Sequence, residues 1–304
     1  MISSVVNEPL QRVSAVACVA IALGFSAPAS AAGYDWSGVE KAIGRKGTEM
    51  PGGVYRVGIA RSDLKVTLDG VQIKPPLALG SYLAFQSMGK SGMVMGDLVL
   101  LQEEVNPVMK KLVEGGIQIT AVHNHVLRSE PFIMYMHYEG RGDPAKLAAT
   151  IRGALEESKT PLEAPASAGS PPKIDLDTAA IEKTLGAKGN NNGGVLAFGI
   201  PRAETIKDAG MTIPAAAGMG IAINFQPTGD GKAAITGDFV LEASEVEAVL
   251  AALRDAGIEV TALHNHMLDD QPRAFFVHFW ANDDAVKLAH GVRAALDKVN
   301  AAKG

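Results

Sequence analysis

Gly96-Asp97-Leu98-Val99-Leu100 opens a stretch that runs on to Thr120-Ala121-Val122-His123-Asn124-His125. The same stretch returns as Gly237-Asp238-Phe239-Val240-Leu241, leading to Thr261-Ala262-Leu263-His264-Asn265-His266. From the Gly-Asp pair onward the two runs stay in step without a gap, to Ala154-Leu155 and Ala295-Leu296. Upstream, Gly52-Gly53-Val54 pairs with Gly193-Gly194-Val195, Arg61 with Arg202, Gly70 with Gly210 and Phe85-Gln86 with Phe225-Gln226, with single-residue shifts. Self-similarity on this scale marks a duplicated structural unit. One fold is to be read, twice.

Within the first copy, Trp36 to Gly44 reads as a short helix, and Val54 to Ala60, Leu64 to Leu68, Tyr82 to Gln86 and Gly92 to Leu101 read as strands, punctuated by Asp69-Gly70 and Pro75-Pro76. Glu103 to Glu114 carries Val105, Val108, Met109, Leu112 and Val113 at helical spacing and stops at Gly115-Gly116. Ile117 to Leu127 and Phe132 to Glu139 follow as a strand pair, and Asp143-Pro144 supplies the cap and first turn of a helix ending at Leu155. The expected fold is α+β: two homologous domains, each a mostly antiparallel sheet with helices packed on one face, which buries both kinds of amphipathic element.

The first domain is expected over residues 32–155 and the second over 174–304, separated by a linker at 156–173 whose Pro, Ala and Ser content sustains neither core nor helix. Residues 1–31 read as an export signal: Val13 to Phe25 is small and apolar, and Ala27-Pro28-Ala29-Ser30-Ala31 has the small residues of a cleavage site. The expected product is periplasmic or extracellular. Cys18 lies inside that signal, so the mature chain is expected to hold no thiol and no disulfide. No later segment reaches the roughly 20 apolar residues of a membrane span. A formal charge of -5 without Lys/Arg blocks gives no footprint for nucleic acid. No glycine-rich loop leads into a helix as phosphate cradles require.

Six of the seven histidines belong to the repeat: His123, His125 and His137, and again His264, His266 and His278. Imidazole is the side chain most used to bind transition metals and to move protons near neutral pH. Strand alternation puts His123 and His125 on one face with Ile117, Ile119 and Ala121. If His125 faces Tyr135 across the hairpin, His123 faces His137 and the three rings gather, whereas a slip of one residue sends His137 to the other face. Three neutral imidazoles suit zinc, and with carboxylate help iron or copper. The nearest candidate carboxylates are Asp97 and Asp238, with Glu104 and Glu245 at helix starts behind them. Met134, Met136 and Met267 lie near the histidines and would favour a softer ion. Arg61 and Arg202 read as exposed arginines paired with a local carboxylate, with capture of an anionic ligand as the alternative.

The segments Arg61-Ser62-Asp63-Leu64-Lys65-Val66, Leu77-Ala78-Leu79-Gly80, Met95-Gly96-Asp97, Glu104-Val105-Asn106-Pro107-Val108-Met109 and Thr120 to His125, with Tyr135-Met136-His137, together resemble the LppY/LpqO family, the domain of unknown function 1259. The resemblance covers nearly all of the expected mature chain, in both copies. It implies an exported bacterial protein and implies no reaction. Three readings follow. The histidine clusters bind a metal ion or small ligand; they support a metal-assisted hydrolase with Asp97 or Glu104 as base; or they are core residues of a non-catalytic interaction module, each ring hydrogen-bonded to backbone or Asn.

Overall fold

The computed structural model describes residues 1, 34–89, 91–163 and 170–302. The expected export signal with Cys18, and the middle of the expected linker, lie outside the described residues. The first copy comprises α1 (Ser37–Ile43), β1 (Thr48–Met50), β2 (Val54–Ala60), β3 (Thr67–Leu68), β4 (Val71–Gln72), α2 (Pro75–Ala78), β5 (Gly80–Met88), β6 (Ser91–Leu101), α3 (Gln102–Glu114), β7 (Gln118–His123), β8 (Ile133–Gly142) and α4 (Pro144–Leu155). The second repeats it as α5 (Thr178–Leu185), β9 (Asn190–Asn192), β10 (Val195–Pro201), β11 (Lys207–Asp208), β12 (Met211–Thr212), a 3-10 turn (Ala215–Ala217), β13 (Gly220–Gly229), β14 (Lys232–Glu242), α6 (Ala243–Asp255), β15 (Glu259–His264), β16 (Asp270–Gln271), β17 (Ala274–Asp284) and α7 (Ala285–Leu296).

Each copy is built on a six-stranded antiparallel sheet, in the order β1-β2-β5-β6-β8-β7 and, from the opposite edge, β15-β17-β14-β13-β10-β9. The helices cover one face, as their sequences require. In α3 the buried side is Glu104, Val108 and Leu112, and in α4 it includes Leu147, Ile151 and Leu155. Asp143 starts α4 by accepting hydrogen bonds from the amides of Ala145 and Lys146, with Pro144 preset at the first position. Asp284 starts α7 through the amide of Lys287. The architecture is thus α+β in two repeated domains.

The other face of each sheet is covered by an arm from the opposite copy. Val66, Leu68, Ile73 and Leu77, from the stretch holding β3, β4 and α2, share a core with Val195, Ala234 and Trp280 of the second sheet. Ile206, Ile213, Ala217 and Met219 of the second copy share one with Val54, Ala84, Met93 and Met95 of the first. Polar groups along these contacts are matched: Gln226 accepts from the Lys74 amide at 2.8 Å and donates to the Gln72 carbonyl at 2.8 Å. Trp280 Nε1 donates to Asp69 at 3.0 Å. The copies are interlocked, and both lie within one compact unit, Asp35–Gly304.

Three expectations need correction. The strand foreseen over Leu64 to Leu68 shrinks to Thr67–Leu68, because Leu64 closes a turn onto the Arg61 carbonyl and the chain then leaves for the other copy. The strand foreseen over Ile117 to Leu127 ends at His123, where the Asn124 side chain bonds the Val126 carbonyl and, across the interface, that of Thr261. Arg61 is paired with local carboxylates but is fully buried: its guanidinium holds Asp63 and Glu104 and donates to the Val99 carbonyl. Arg202 repeats this with Glu204, Glu245 and Val240.

Candidate metal centre

The hairpin register decides where His137 goes. His123 pairs with Tyr135 and Ala121 with His137, after a bulge between Ile119 and Ala121. The pairing is displaced by two residues from the one foreseen. An even displacement preserves the face, so the rings still gather: the His123 centroid is 5.1 Å from that of His125 and 5.0 Å from that of His137. The second copy repeats the bulge and the pairing, with His264 opposite Phe276 and Ala262 opposite His278. Beside each hairpin, β6 and β14 bring in the carboxylates, since Asp97 pairs with His137 and Asp238 with His278.

Interlocking brings the two clusters into one. His123 stacks on His264 at 3.5 Å between centroids, His125 on His278 at 3.7 Å and His137 on His266 at 3.6 Å. The outer faces of two rings are closed by aromatics, Tyr135 on His125 at 3.4 Å and Phe276 on His266 at 3.3 Å. Cationic rings could not stack so closely. Burial accordingly holds the imidazoles neutral, His123 down to about 4 and His264 to about 3, with the other four well below the ordinary value of 6.5.

The ring nitrogens divide by role. Nδ1 of His123 and of His264 donates to the carbonyl of the following asparagine at 3.0 and 3.1 Å, and Nδ1 of His278 to the Gly237 carbonyl at 2.8 Å. A carbonyl can only accept, so the proton sits on Nδ1 and Nε2 keeps a bare lone pair. The Nε2 atoms of all six rings are buried without a hydrogen-bond partner among the described residues, as are Asp97 Oδ1 and Asp238 Oδ1. Gly96 and Gly237 make the close backbone approach feasible: a Cβ there would fall 2.2 Å from the Tyr82 carbonyl and 2.0 Å from that of Ala222.

Each aspartate sits against two rings of its own copy. Asp97 Oδ2 is 3.6 Å from His125 Nε2 and 3.9 Å from His137 Nε2. Asp238 lies 3.6 Å from His266 Nε2 and 3.9 Å from His278 Nε2. Those gaps exceed hydrogen bonds and approach the roughly 3.3 Å edge of a tetrahedron with 2.0 to 2.1 Å bonds. Groups whose ligand atoms all fall within 4.8 Å of one another include His123 with His125 and His137, His123 with His264 and His278, and Asp238 with His266 and His278. Burial raises both carboxyls, Asp97 to about 7 and Asp238 well above its ordinary range, and the neighbouring Asp97 adds to the rise at Asp238.

Of the other candidates, Glu104 and Glu245 are not at the centre. Their carboxylates are taken by Arg61 and Arg202 and by the amides of Leu101 and Glu242, the residues just before α3 and α6. Burial works against the charge of Glu104, and the Arg61 guanidinium overrides it, holding the carboxyl below its ordinary range. Met134 and Met136 alternate with His137 along β8 and so point to its opposite face. Met267, beside His266, is fully buried with Met95 and Met219 around a small space next to His137 and His266.

A cavity of about 410 Å³ lies between the copies and is lined by Asp97, His125 and His137 together with Asp238, His266 and His278. Arg56 and Tyr82 line it too, and neither stood out in the sequence. The sign available was a difference between copies: Arg56 aligns with Ala197 and Tyr82 with Ala222.

Among solved structures, the chain is similar to the trimeric bacterial microcompartment shell protein PduB, with 12% identity, 81% of this chain and 86% of that one covered, and a TM-score of 0.19. It is also similar to EtuB from Clostridium kluyveri (10%, 83% and 91%, 0.19) and to EutL from Clostridium perfringens (9%, 83% and 94%, 0.18). None of the curated proteins matches. The family model described as Domain of Unknown Function (DUF1259) matches residues 37–157 and again 179–298, the two interlocked copies in turn. The chain belongs to this family, in tandem duplicate.

Proposed function

We propose that this chain is an exported metal-binding protein, of the LppY/LpqO kind within its family, whose two copies together build one transition-metal centre. The observation that carries the reading is the set of six buried Nε2 atoms without a hydrogen-bond partner among the described residues, with two carboxylates beside them. Each buried polar atom left without a partner costs about 1–3 kcal/mol. A core role would leave that cost on every ring, whereas bound cations would take these nitrogens as ligands. Nδ1–H bonded to backbone carbonyl is the orienting partner that metal-binding histidines use. His123 with His125 and His137 shares no residue with Asp238, His266 and His278, so the ligand sets number two. Mixed nitrogen and carboxylate donors suit zinc or iron. As a hydrolase the chain would lack Glu104 as base, since Arg61 holds it.

The test is the metal content of untagged full-length protein, with His123→Ala/His264→Ala alongside and far-UV circular dichroism to confirm folding. One to two equivalents of a transition metal, reduced in the folded variant, is the expected result. Folded wild-type protein that takes up neither zinc nor iron on reconstitution would exclude the reading.

A further inference from the structure

We infer that the cavity beside the histidine centre is a binding site for a small organic carboxylate, held at its anionic end by Arg56 with its other end turned toward the centre. The orientation rests on the metal reading; the contact with Arg56 does not. The volume, about 410 Å³, falls in the range of small-molecule sites.

Arg56 is fixed in place without being neutralised. Its guanidinium lies 3.8 Å above the Tyr82 ring, and Nη1 donates to the Ala216 carbonyl on the arm of the other copy at 2.7 Å. Among the described residues no carboxylate pairs with it. Asp97 feels its charge, against the larger effect of burial, without touching it. A planar guanidinium with donors to spare, held on an aromatic face, is the group that recognises carboxylate or phosphate oxygens. Arg56 is the one cationic side chain among the described residues lining a cavity that also holds Asp97 and Asp238, so the anchor at that end matches a single carboxylate.

The duplication strengthens the assignment. Where the first copy has Arg56 and Tyr82, the second has Ala197 and Ala222, which leaves space. Where the first has Ala84 and Met95, the second has Asn224 and Thr236, both lining the cavity. Ala84 and Met95 pack under the second copy's arm, whereas Asn224 and Thr236 face the cavity. Together the four exchanges give the cavity one cationic end and a wall able to form hydrogen bonds, a polarity that two identical copies could not supply.

The experiment titrates acetate, hexanoate and benzoate, with benzamide and inorganic phosphate as controls, into metal-loaded and chelator-treated full-length protein by ligand-observed NMR. Arg56→Ala and Arg56→Lys are measured in parallel. Arg56→Ala copies the residue the second sheet carries at the aligned position, so its backbone is compatible with the strand. The expected result is that at least one carboxylate binds in the millimolar range or tighter, benzamide binds more weakly than benzoate, and Arg56→Ala loses about tenfold or more, with Arg56→Lys between. Metal content should be the same in all three proteins. The inference is overturned if no carboxylate shows Arg56-dependent binding, or if phosphate alone does. If wild-type protein holds no metal, the metal reading falls, while Arg56-dependent carboxylate binding is still scored in the same titration.

Discussion

One row across the first sheet reads Gly58, Tyr82, Asp97, His137, Ala121, and the matching row across the second reads Gly199, Ala222, Asp238, His278, Ala262. Four of five positions are identical. The row beside it reads Arg56, Ala84, Met95, Glu139 in one copy and Ala197, Asn224, Thr236, Trp280 in the other, with nothing in common. Both rows lie on the same scaffold at the same register, so backbone geometry cannot account for the contrast. The centre needs both halves alike because its rings stack in cross-copy pairs; the neighbouring row, of which Arg56, Asn224 and Thr236 line the cavity, is under no such constraint and has become one-sided.

The largest effect should come from breaking the row that is alike. Asp97→Ala/His137→Ala removes two candidate ligands from one half and Asp238→Ala/His278→Ala removes their counterparts. Orienting partners of metal ligands alone are worth roughly 10–100-fold in affinity, so each double variant should lose more than about a hundredfold at its own set, read by competition with a chromogenic chelator. Because His137 stacks on His266 and His278 on His125, each should also weaken the opposite set. Full binding in one double variant beside none in the other would show that the halves are not equivalent.

Acid should act next, through the same rings. The six imidazoles have folded pKa values below the ordinary 6.5, so between pH 6.5 and about 4 the unfolded chain takes up protons that the folded metal-free chain refuses, and stability falls as pH falls. Asp97 and Asp238 work the other way. Raised by burial, they contribute stability that is full below their ordinary 3.8 and is lost as pH rises through about 7 for Asp97. Six rings outweigh two carboxyls over the shared window. The urea midpoint of metal-free protein should therefore drop from pH 6.5 to 4, and less steeply in His123→Ala/His264→Ala. A midpoint that rises toward acid would show the carboxyls in control.

The sequence made the centre legible and the cavity illegible, for one physical reason. Repeated residues announce themselves in self-comparison, so His123, His125, His137 and Asp97 could be named as candidates, with the gathering of His137 left to the register. That gathering survived an error in register because two residues is a full period of a strand. Arg56 lies in a correctly placed strand, yet one charged residue on a half-buried strand carries no signal until its counterpart, Ala197, is seen to be uncharged. The interlock was equally hidden. Val66 to Leu77 is apolar enough to be core, but no local pattern states that the core belongs to the other copy.

A third test sharpens the comparison away from the centre. Glu104→Ala leaves the Arg61 guanidinium, fully buried, with Asp63 as its remaining acid, and Glu245→Ala does the same to Arg202 with Glu204. Breaking a buried pair from one side costs about 3–5 kcal/mol. The first variant should lie nearer the top of that range, since the Glu104 side chain is 6% exposed and that of Glu245 13%. Metal affinity should hold in both, as neither carboxylate reaches the histidines.

The smallest expected effect compares the two caps. Asp143 accepts from two amides at the start of α4, and Asp284 from one at the start of α7. Replacing a capping carboxylate by alanine costs about 0.5–2 kcal/mol. Pro144 already fixes the first turn of α4, whereas Ala285 holds that place in α7 and leaves more of the turn to the cap. The number of hydrogen bonds thus favours a larger loss at Asp143, and the missing proline a larger loss at Asp284. A hydrogen bond to an ionised acceptor is worth about 1.5–3 kcal/mol, but the two amides share a single oxygen of Asp143, Oδ1, at 2.9 and 3.2 Å, so the second adds little. Asp284→Ala should therefore cost at least as much as Asp143→Ala in urea unfolding. A clearly greater loss at Asp143 would mean that the second amide contributes fully and that the proline does little for the turn.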